Sequence, residues 1–495
     1  MPVQVARGTA QIRRNLLSST GAHLAIILGL GLALRLAFLT RVPVFLLRDS
    51  GGYHLPAWDL AQGLGFDLSA RRTPGYPLFL AGVIKLGGED LYAIALVQHL
   101  LGLVVALLTY LIARRLFGSP LAFASALIVS LEGTLLVAEH YVMPETLFTV
   151  FVLLSTWLTM RARDEPTVVR ILALGACIGV AALIRPVGLA LLPIAGFALI
   201  SAPVTWRRRV AALGILGLGA AILVVPWMVR NFQVHGQASM STTLPKSLLA
   251  RTAKHDRGFT FFSQAQADQY TDRREAQARQ IIQSAINQRL SDGEIYDRLG
   301  ERLRLTDTEV DRLLRDLTTR VIAERPVYFL QRSAEFTWEL LVGDVERLRT
   351  DWKTQNARLS RDEWEDRVEH LLRKASPRQE AEFPISEALV DFVQPSHLGA
   401  LAPILGILGA LAATRRIGLT GTIPALVALI LIAAPATLDG PVPRYRYPVD
   451  PILTTLTTGC LLMLAAMVRS VWLRVRTASA SDTAPGRAYP VAESR

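Results

Sequence analysis

Residues 206–230 read WRRRVAALGILGLGAAILVVPWMVR, with Arg207, Arg208 and Arg209 standing ahead of the uncharged run 210–229. As a helix, twenty such residues rise about 30 Å, the depth of a bilayer's hydrocarbon core. In lipid a helix also satisfies its own backbone, so this stretch reads as a transmembrane helix. Its arginine flank marks a cytoplasmic end. The same pattern recurs along the chain, with candidate spans at 22–40, 91–113, 119–137, 145–161, 168–184, 186–201, 210–230, 398–413, 419–437 and 450–468. The whole chain of 495 residues agrees, with 51% hydrophobic residues and 19% charged. Soluble domains carry about 25% charged residues, so soluble, secreted, disordered and fibrous classes are excluded.

Basic clusters follow every second span: Arg114–Arg115, then Arg161, Arg163 and Arg170, then Arg207–Arg209, Arg415–Arg416, and Arg469, Arg474 and Arg476. With the N-terminus inside, all face the cytoplasm, as the positive-inside bias requires. The expected architecture is an all-α polytopic membrane protein of about ten transmembrane helices, with both termini cytoplasmic. Residues 76–87 are apolar but too short to span, so they are read as a re-entrant or juxtamembrane helix. Arg185–Pro186 divides 168–201 into two short spans rather than one.

The expected divisions are a cytoplasmic tail (1–21), an N-terminal transmembrane module (22–230) with a first external loop at 41–90, an extracytoplasmic helical domain (231–395), a C-terminal transmembrane module (396–472) and a disordered cytoplasmic tail (473–495). Arg7, Arg13 and Arg14 before the first apolar run suggest a retained anchor rather than a cleaved signal. Residues 235–395 hold 25 Lys+Arg against 27 Asp+Glu, so the formal charge of +12 belongs to the membrane part. That distribution argues against a nucleic-acid partner and makes the lipid bilayer the expected one. Cys177 and Cys460 lie in apolar segments, and neither a disulfide nor a cysteine metal site is expected. Within 231–395, Asp307 is the expected cap of a helix over 308–323 and Pro326 opens another to about Leu341. Its aromatics Tyr328, Phe329, Phe336 and Trp338 suit a membrane interface, and 355–375 reads as a third amphipathic helix.

The first external loop carries the most chemistry. It runs Arg48-Asp49-Ser50-Gly51-Gly52-Tyr53-His54 and later Arg71-Arg72-Thr73-Pro74-Gly75-Tyr76-Pro77. An acid just after the first span is placed to act on a lipid head group, or is simply a solvated loop acid; helical spacing puts Tyr53 on its face. Arg71–Arg72 beside a rigid turn match phosphate oxygens, or form a snorkelling pair at the interface. Glu132, Glu139 and Glu145 gather near the outer end of the third span, Glu132 deepest and Glu139 in reach of water. Acids at membrane depth are functional candidates, although Glu145 equally suits a helix's first turn. Arg185 needs a partner at the outer face. Arg444-Tyr445-Arg446-Tyr447 before the last span suits a phosphate and a sugar ring, or an aromatic belt. For His99, within a span, a satisfied packing role outweighs a ligand role, and no cluster has metal-ligand spacing.

Taken together, and in this order, these motifs resemble the membrane glycosyltransferases of the GT-C superfamily. The nearest groups are bacterial relatives of protein O-mannosyltransferases and of aminoarabinose lipid A transferases. The resemblance covers about 1–230 and 396–470, and touches 231–395 mainly around Pro326–Leu341. It implies transfer of a sugar from a polyprenyl-monophosphate donor to an acceptor hydroxyl on the extracytoplasmic face, with inversion. It makes Asp49 the base and Glu145 the second acid. Arg72, then Arg444 and Arg446, then Arg185 would bind donor phosphate, and Tyr53, His54, Tyr76, Glu132 and Tyr445 would line the substrate site. Many relatives have two adjacent acids where this chain has Asp49-Ser50; one acid is a poor cage for a divalent cation, so neither metal nor other cofactor is expected. The acceptor is a lipid, a glycan or a protein. The rival readings are a diphosphate-carrier oligosaccharide ligase, a lipid or sugar transporter, and a non-enzymatic scaffold.

Overall fold

The computed structural model describes residues 20–42, 44, 46, 49–256, 258–263, 272–290, 292–343 and 398–482, and all regular structure within them is helical. The segment expected as a helix at 355–375 lies outside the described residues. Helices α1 (Thr20–Arg41), α2 (Gly51–Ala61), α3 (Gly75–Gly87), α4 (Leu91–Phe117), α5 (Ser119–Leu131), α6 (Gly133–Ala138), α7 (Glu145–Asp164) and α8 (Val168–Ile184) follow one another. A 3-10 turn at Pro186–Ala190 leads into α9 (Leu191–Ile200), and α10 (Trp206–His235) completes this part. The second part holds α11 (Leu244–Leu249), a π turn at Ala250–His255, α12 (Arg273–Asn287), α13 (Asp292–Leu303), α14 (Asp307–Glu324) and α15 (Pro326–Val342). After it come α16 (Leu401–Ile417), α17 (Ile423–Leu438) and α18 (Asp450–Asp482).

Among the described residues, five helical runs are long and apolar enough to cross a membrane: α1, α4, α10, Leu401–Leu438 and Asp450–Arg474. The run Leu401–Leu438 turns through a 3-10 segment at Gly418–Thr422, which divides it where two spans are expected. The expected spans over 168–201 are two shorter apolar helical pieces, broken at Arg185, whose extended backbone (φ −144°, ψ 128°) interrupts the helix. The expected span 119–137 is not continuous. Glu132 is extended (φ −68°, ψ 120°) and separates α5 from α6. The last helix runs to Asp482, past residue 472, where order was expected to end.

Two cores result. The main one joins the apolar faces of α3, α4, α7, α8, α9 and α17. The second joins Leu249, Phe259, Phe261, Ile282, Leu299, Val310, Leu314, Leu317 and Val321. Helix α15 belongs to both: Tyr328 and Phe329 pack on the second core, while Phe336 and Leu340 are buried in the main one. The aromatics read as interfacial thus include a genuine core residue. The cap of α14 also differs from expectation. Thr306, not Asp307, precedes the helix, and it exchanges hydrogen bonds with Glu309 in a capping box.

Charge has two opposite ends in α7. Glu145 opens it, and Arg161 and Arg163 close it about 27 Å away at 1.5 Å per residue. At that far end Arg115 pairs with Asp164, Arg163 donates to the Thr420 hydroxyl (2.8 Å) and Arg416 donates to the Phe117 carbonyl (2.6 Å). The basic ends of α4, α7 and α16 are therefore pinned together, opposite Glu145.

Short helix α3 is locked against α8. The Thr73 hydroxyl donates to the Ile184 carbonyl (3.0 Å). A Cβ on Gly75 would lie 2.7 Å from the Leu183 carbonyl oxygen, so only glycine permits this approach of two backbones. Gly75→Ala is expected to cost about 1–3 kcal/mol of stability by overpacking, read as a lowered thermal midpoint of the purified protein. An unchanged midpoint would mean that α3 does not sit against α8 in this way.

Candidate active site

The first loop, the α2–α3 connection and the turn before α18 converge on Asp49. Its Oδ1 accepts from Arg72 (2.8 Å) and its Oδ2 from Arg444 (3.1 Å). Arg72 also donates to the Tyr53 hydroxyl (3.1 Å), with its guanidinium 4.5 Å over the Tyr53 ring. The short spacing from Asp49 to Tyr53 follows from α2, which starts at Gly51 directly after the acid. Arg444 is held in a 3-10 turn, Pro443–Tyr445, which orients it back across the chain.

Burial alone would raise the Asp49 carboxyl. Arg444 and then Arg72 outweigh it and hold the group well below the usual carboxylate range. Burial likewise works against the charge of Arg444, but Asp49 and then Glu145 outweigh it. Both oxygens of Asp49 are thus engaged by cations.

A second pair stands beside the first. Arg185 donates to Glu145 Oε1 (2.8 Å), and its guanidinium lies 5.2 Å from the Tyr445 ring. Glu145 Oε2 is buried with no hydrogen-bond partner among the described residues. It lines a crevice with Thr146, Thr149, Glu139 and Tyr447 that has room for about one water. The Tyr445 hydroxyl pairs with Asp439. Arg72, Arg185 and Arg444 thus stand among the carboxylates of Asp49 and Glu145, with Asp439 a third carboxylate at the Tyr445 hydroxyl.

The remaining sequence candidates fall elsewhere. Arg446 points away from Asp49: it pairs with Asp450 (2.6 Å) and donates to the Gly343 carbonyl (3.3 Å). Glu132 belongs to that charge group, within electrostatic reach of Asp450 and Arg446. Tyr76 is fully buried, donates to Gln98 Oε1 (2.9 Å) and meets Tyr53 edge-on at 5.3 Å, so it backs the site rather than lining it. His54 is buried in α2.

One expectation is overturned. Glu139 does not reach water; it is 2% exposed and lies between Arg35 (2.6 Å) and His99 (2.5 Å). His99 continues to His140 (2.8 Å), which reaches the Val42 carbonyl (3.2 Å). Gln98 donates to the carbonyls of Glu139 (2.9 Å) and Tyr141 (2.7 Å) and ties this network to Tyr76. Sequence reasoning missed the network, although Arg35 inside an apolar run was a signal that a buried acid had to exist. Among the described residues, no group of three or more His, Cys, Asp or Glu could hold a metal.

Residues 71–229 match the family model described as dolichyl-phosphate-mannose-protein mannosyltransferase. The resemblance read from the motifs is upheld over that segment. It contains Arg72, Glu145 and Arg185, whereas Asp49 and Arg444 lie outside it. No curated protein matches the chain significantly. Among solved structures, the oligosaccharyltransferase AglB from Archaeoglobus fulgidus, in complex with an inhibitory peptide and a dolichol-phosphate, is 13% identical with a TM-score of 0.44. The match covers 94% of this chain and 52% of that one, so this chain spans about half the length of the archaeal protein. ArnT from Cupriavidus metallidurans, bound to undecaprenyl phosphate, is 13% identical with a TM-score of 0.38, covering 89% of this chain and 78% of that one.

The Asp49 pairing sets a pH dependence. A carboxyl lowered by folding adds stability above its unfolded pKa, about 3.9, and loses it as pH falls through the folded value. Asp49→Asn is therefore expected to lower the thermal midpoint at neutral pH, with a constant gap down to about pH 4 that closes below it. A gap that already closes between pH 7 and 5 would mean that Arg72 and Arg444 do not hold the carboxylate.

Proposed function

We propose that this protein transfers a glycosyl group from a polyprenyl-monophosphate carrier to an acceptor hydroxyl on the extracytoplasmic face of the inner membrane. The observation that carries this reading is one carboxylate, Asp49, held between two arginines just ahead of α2, in the loop that follows the first apolar helix. The side is argued from charge: Arg115, Arg163 and Arg416 gather at the opposite end of α7 from Glu145, and Lys/Arg-rich ends face the cytoplasm. Ten spans, with both termini inside, accommodate all of these clusters.

The reaction follows from the same atoms. The donor's phosphate takes its place between Arg72 and Arg444, with Arg185 as a third cation beside Tyr445. Its negative charge offsets the two arginines, so Asp49 regains the basicity they suppress. The acceptor oxygen attacks the anomeric carbon as the bond from that carbon to the phosphate oxygen breaks. The electron pair leaves with the polyprenyl phosphate, where the arginines stabilise it, and the hydroxyl proton passes to Asp49. A single displacement inverts the anomeric centre. Glu145 Oε2, free to accept, orients a sugar or acceptor hydroxyl. Arg446 and Glu132, with Asp450, support the turn that carries Arg444 rather than bind phosphate or substrate.

The test incubates membranes bearing wild type or Asp49→Asn with labelled polyprenyl-monophosphate sugars and acceptor-rich native membranes. Released polyprenyl monophosphate and transferred label are expected for one donor, reduced about 10²–10⁴-fold in Asp49→Asn, as for loss of a general base. Equal turnover by both proteins would remove Asp49 from the chemistry. Release of a diphosphate instead would move the reading to an oligosaccharide ligase.

A further inference from the structure

Arg71 and Arg72 are neighbours in sequence and part in space. Arg72 turns to Asp49 and Tyr53, whereas the Arg71 guanidinium lies 4.4 Å over the Tyr296 ring of α13. Its Nη2 is also 3.8 Å from Asp307 at the start of α14. Tyr296 is itself fixed: it is buried, with its hydroxyl 2.8 Å from the Asp307 carbonyl oxygen and 3.1 Å from Asp311 Oδ1. The backbone of the same stretch is held from the same side. The Thr242 amide donates to the Ala70 carbonyl (3.0 Å), and the hydroxyls of Ser241 and Thr243 donate to the Arg71 carbonyl (2.8 and 2.9 Å). On the other flank, Thr73 is anchored to α8 through Ile184. Both sides of the Arg72 backbone are therefore immobilised.

The second helical domain also grips the segment that carries Arg444. The His255 ring packs on Gly440, where a Cβ would lie 2.8 Å from the ring, and Gly440 has a φ of 125° that favours glycine. Gly343, at the end of α15, accepts from Arg446. One body thus touches both stretches whose arginines meet at Asp49.

We propose that the second helical domain is the frame that sets the spacing of Arg72 and Arg444, with Arg71 as the positioning residue through which it acts. The proposal rests on the reading of these arginines as the donor-phosphate site. An arginine on a loose loop loses its rotamer freedom only when the phosphate arrives, which weakens binding; one clamped on folding has already lost it. Arg71 never touches the donor in this account. Its effect is transmitted through one peptide unit.

The experiment measures binding of undecaprenyl monophosphate to the full chain in lipid nanodiscs. Arg72→Ala is the control and is expected to abolish binding. Arg71→Ala and Tyr296→Leu are each expected to raise Kd about tenfold, and the double variant little further, because the Arg71–Tyr296 contact is broken in both. Arg71→Lys keeps a cation over the ring and should recover most of the affinity, which a general folding defect would not allow. The inference is overturned if Arg71→Ala and Tyr296→Leu leave Kd unchanged while Arg72→Ala abolishes binding, or if their losses add. If Arg72→Ala itself binds normally, the donor-site reading fails instead, and the two failures are thereby told apart.

Discussion

A carboxylate between two guanidinium groups holds together parts of this protein that are far apart in the chain. Asp49 and Arg444 are separated by 395 positions, and Arg72 comes from the connection between two short helices. Each charge here is partly withdrawn from water, so removing one member leaves the others less well compensated. The first loop, the α2–α3 connection and the turn before α18 are tied to one another where the three charges meet.

Behind that group lies a second, wholly internal layer. Arg35 of α1, Glu139 and His140 after α6, and His99 of α4 form one continuous network. Gln98, next to His99, passes the connection to Tyr76 and so to the aromatic face of Tyr53. Polar groups at this depth are costly unless they satisfy one another, and here, Arg35 Nε apart, they pair across three helices and a loop. The network explains why the break at Glu132 is tolerated: Ser130, just before it, accepts from Arg35 (2.8 Å), so a carbonyl near the end of α5 finds a partner.

The two cores divide the labour. The main core orders apolar helices whose basic ends are pinned at one side, and the second core orders a charged helical domain near Asp49. Helix α15 is shared, with Phe336 and Leu340 in one core and Tyr328 and Phe329 against the other. A helix shared in this way keeps the second domain from swinging freely relative to the site.

Helix positions were readable from sequence because apolar length and flanking charge are local properties. The run 206–230 announces α10, Arg185–Pro186 announces the break after α8, and Pro326 announces α15. Asp49, Arg72 and Glu145 stood out for the same reason, each beside a recognisable turn or helix start. What local pattern cannot contain is partnership. Arg444 and Arg446 are two residues apart, yet one turns to Asp49 and the other to Asp450, since Arg444 lies within the 3-10 turn and Arg446 just past it. Glu139 reads as a surface acid until Arg35 and His99 close on it, and Arg71 reads as a twin of Arg72 until Tyr296 claims it. The sequence by itself determined which segments are helical and where charge gathers. Only the tertiary structure decided which charges pair, because that choice is made by distances between residues tens to hundreds of positions apart.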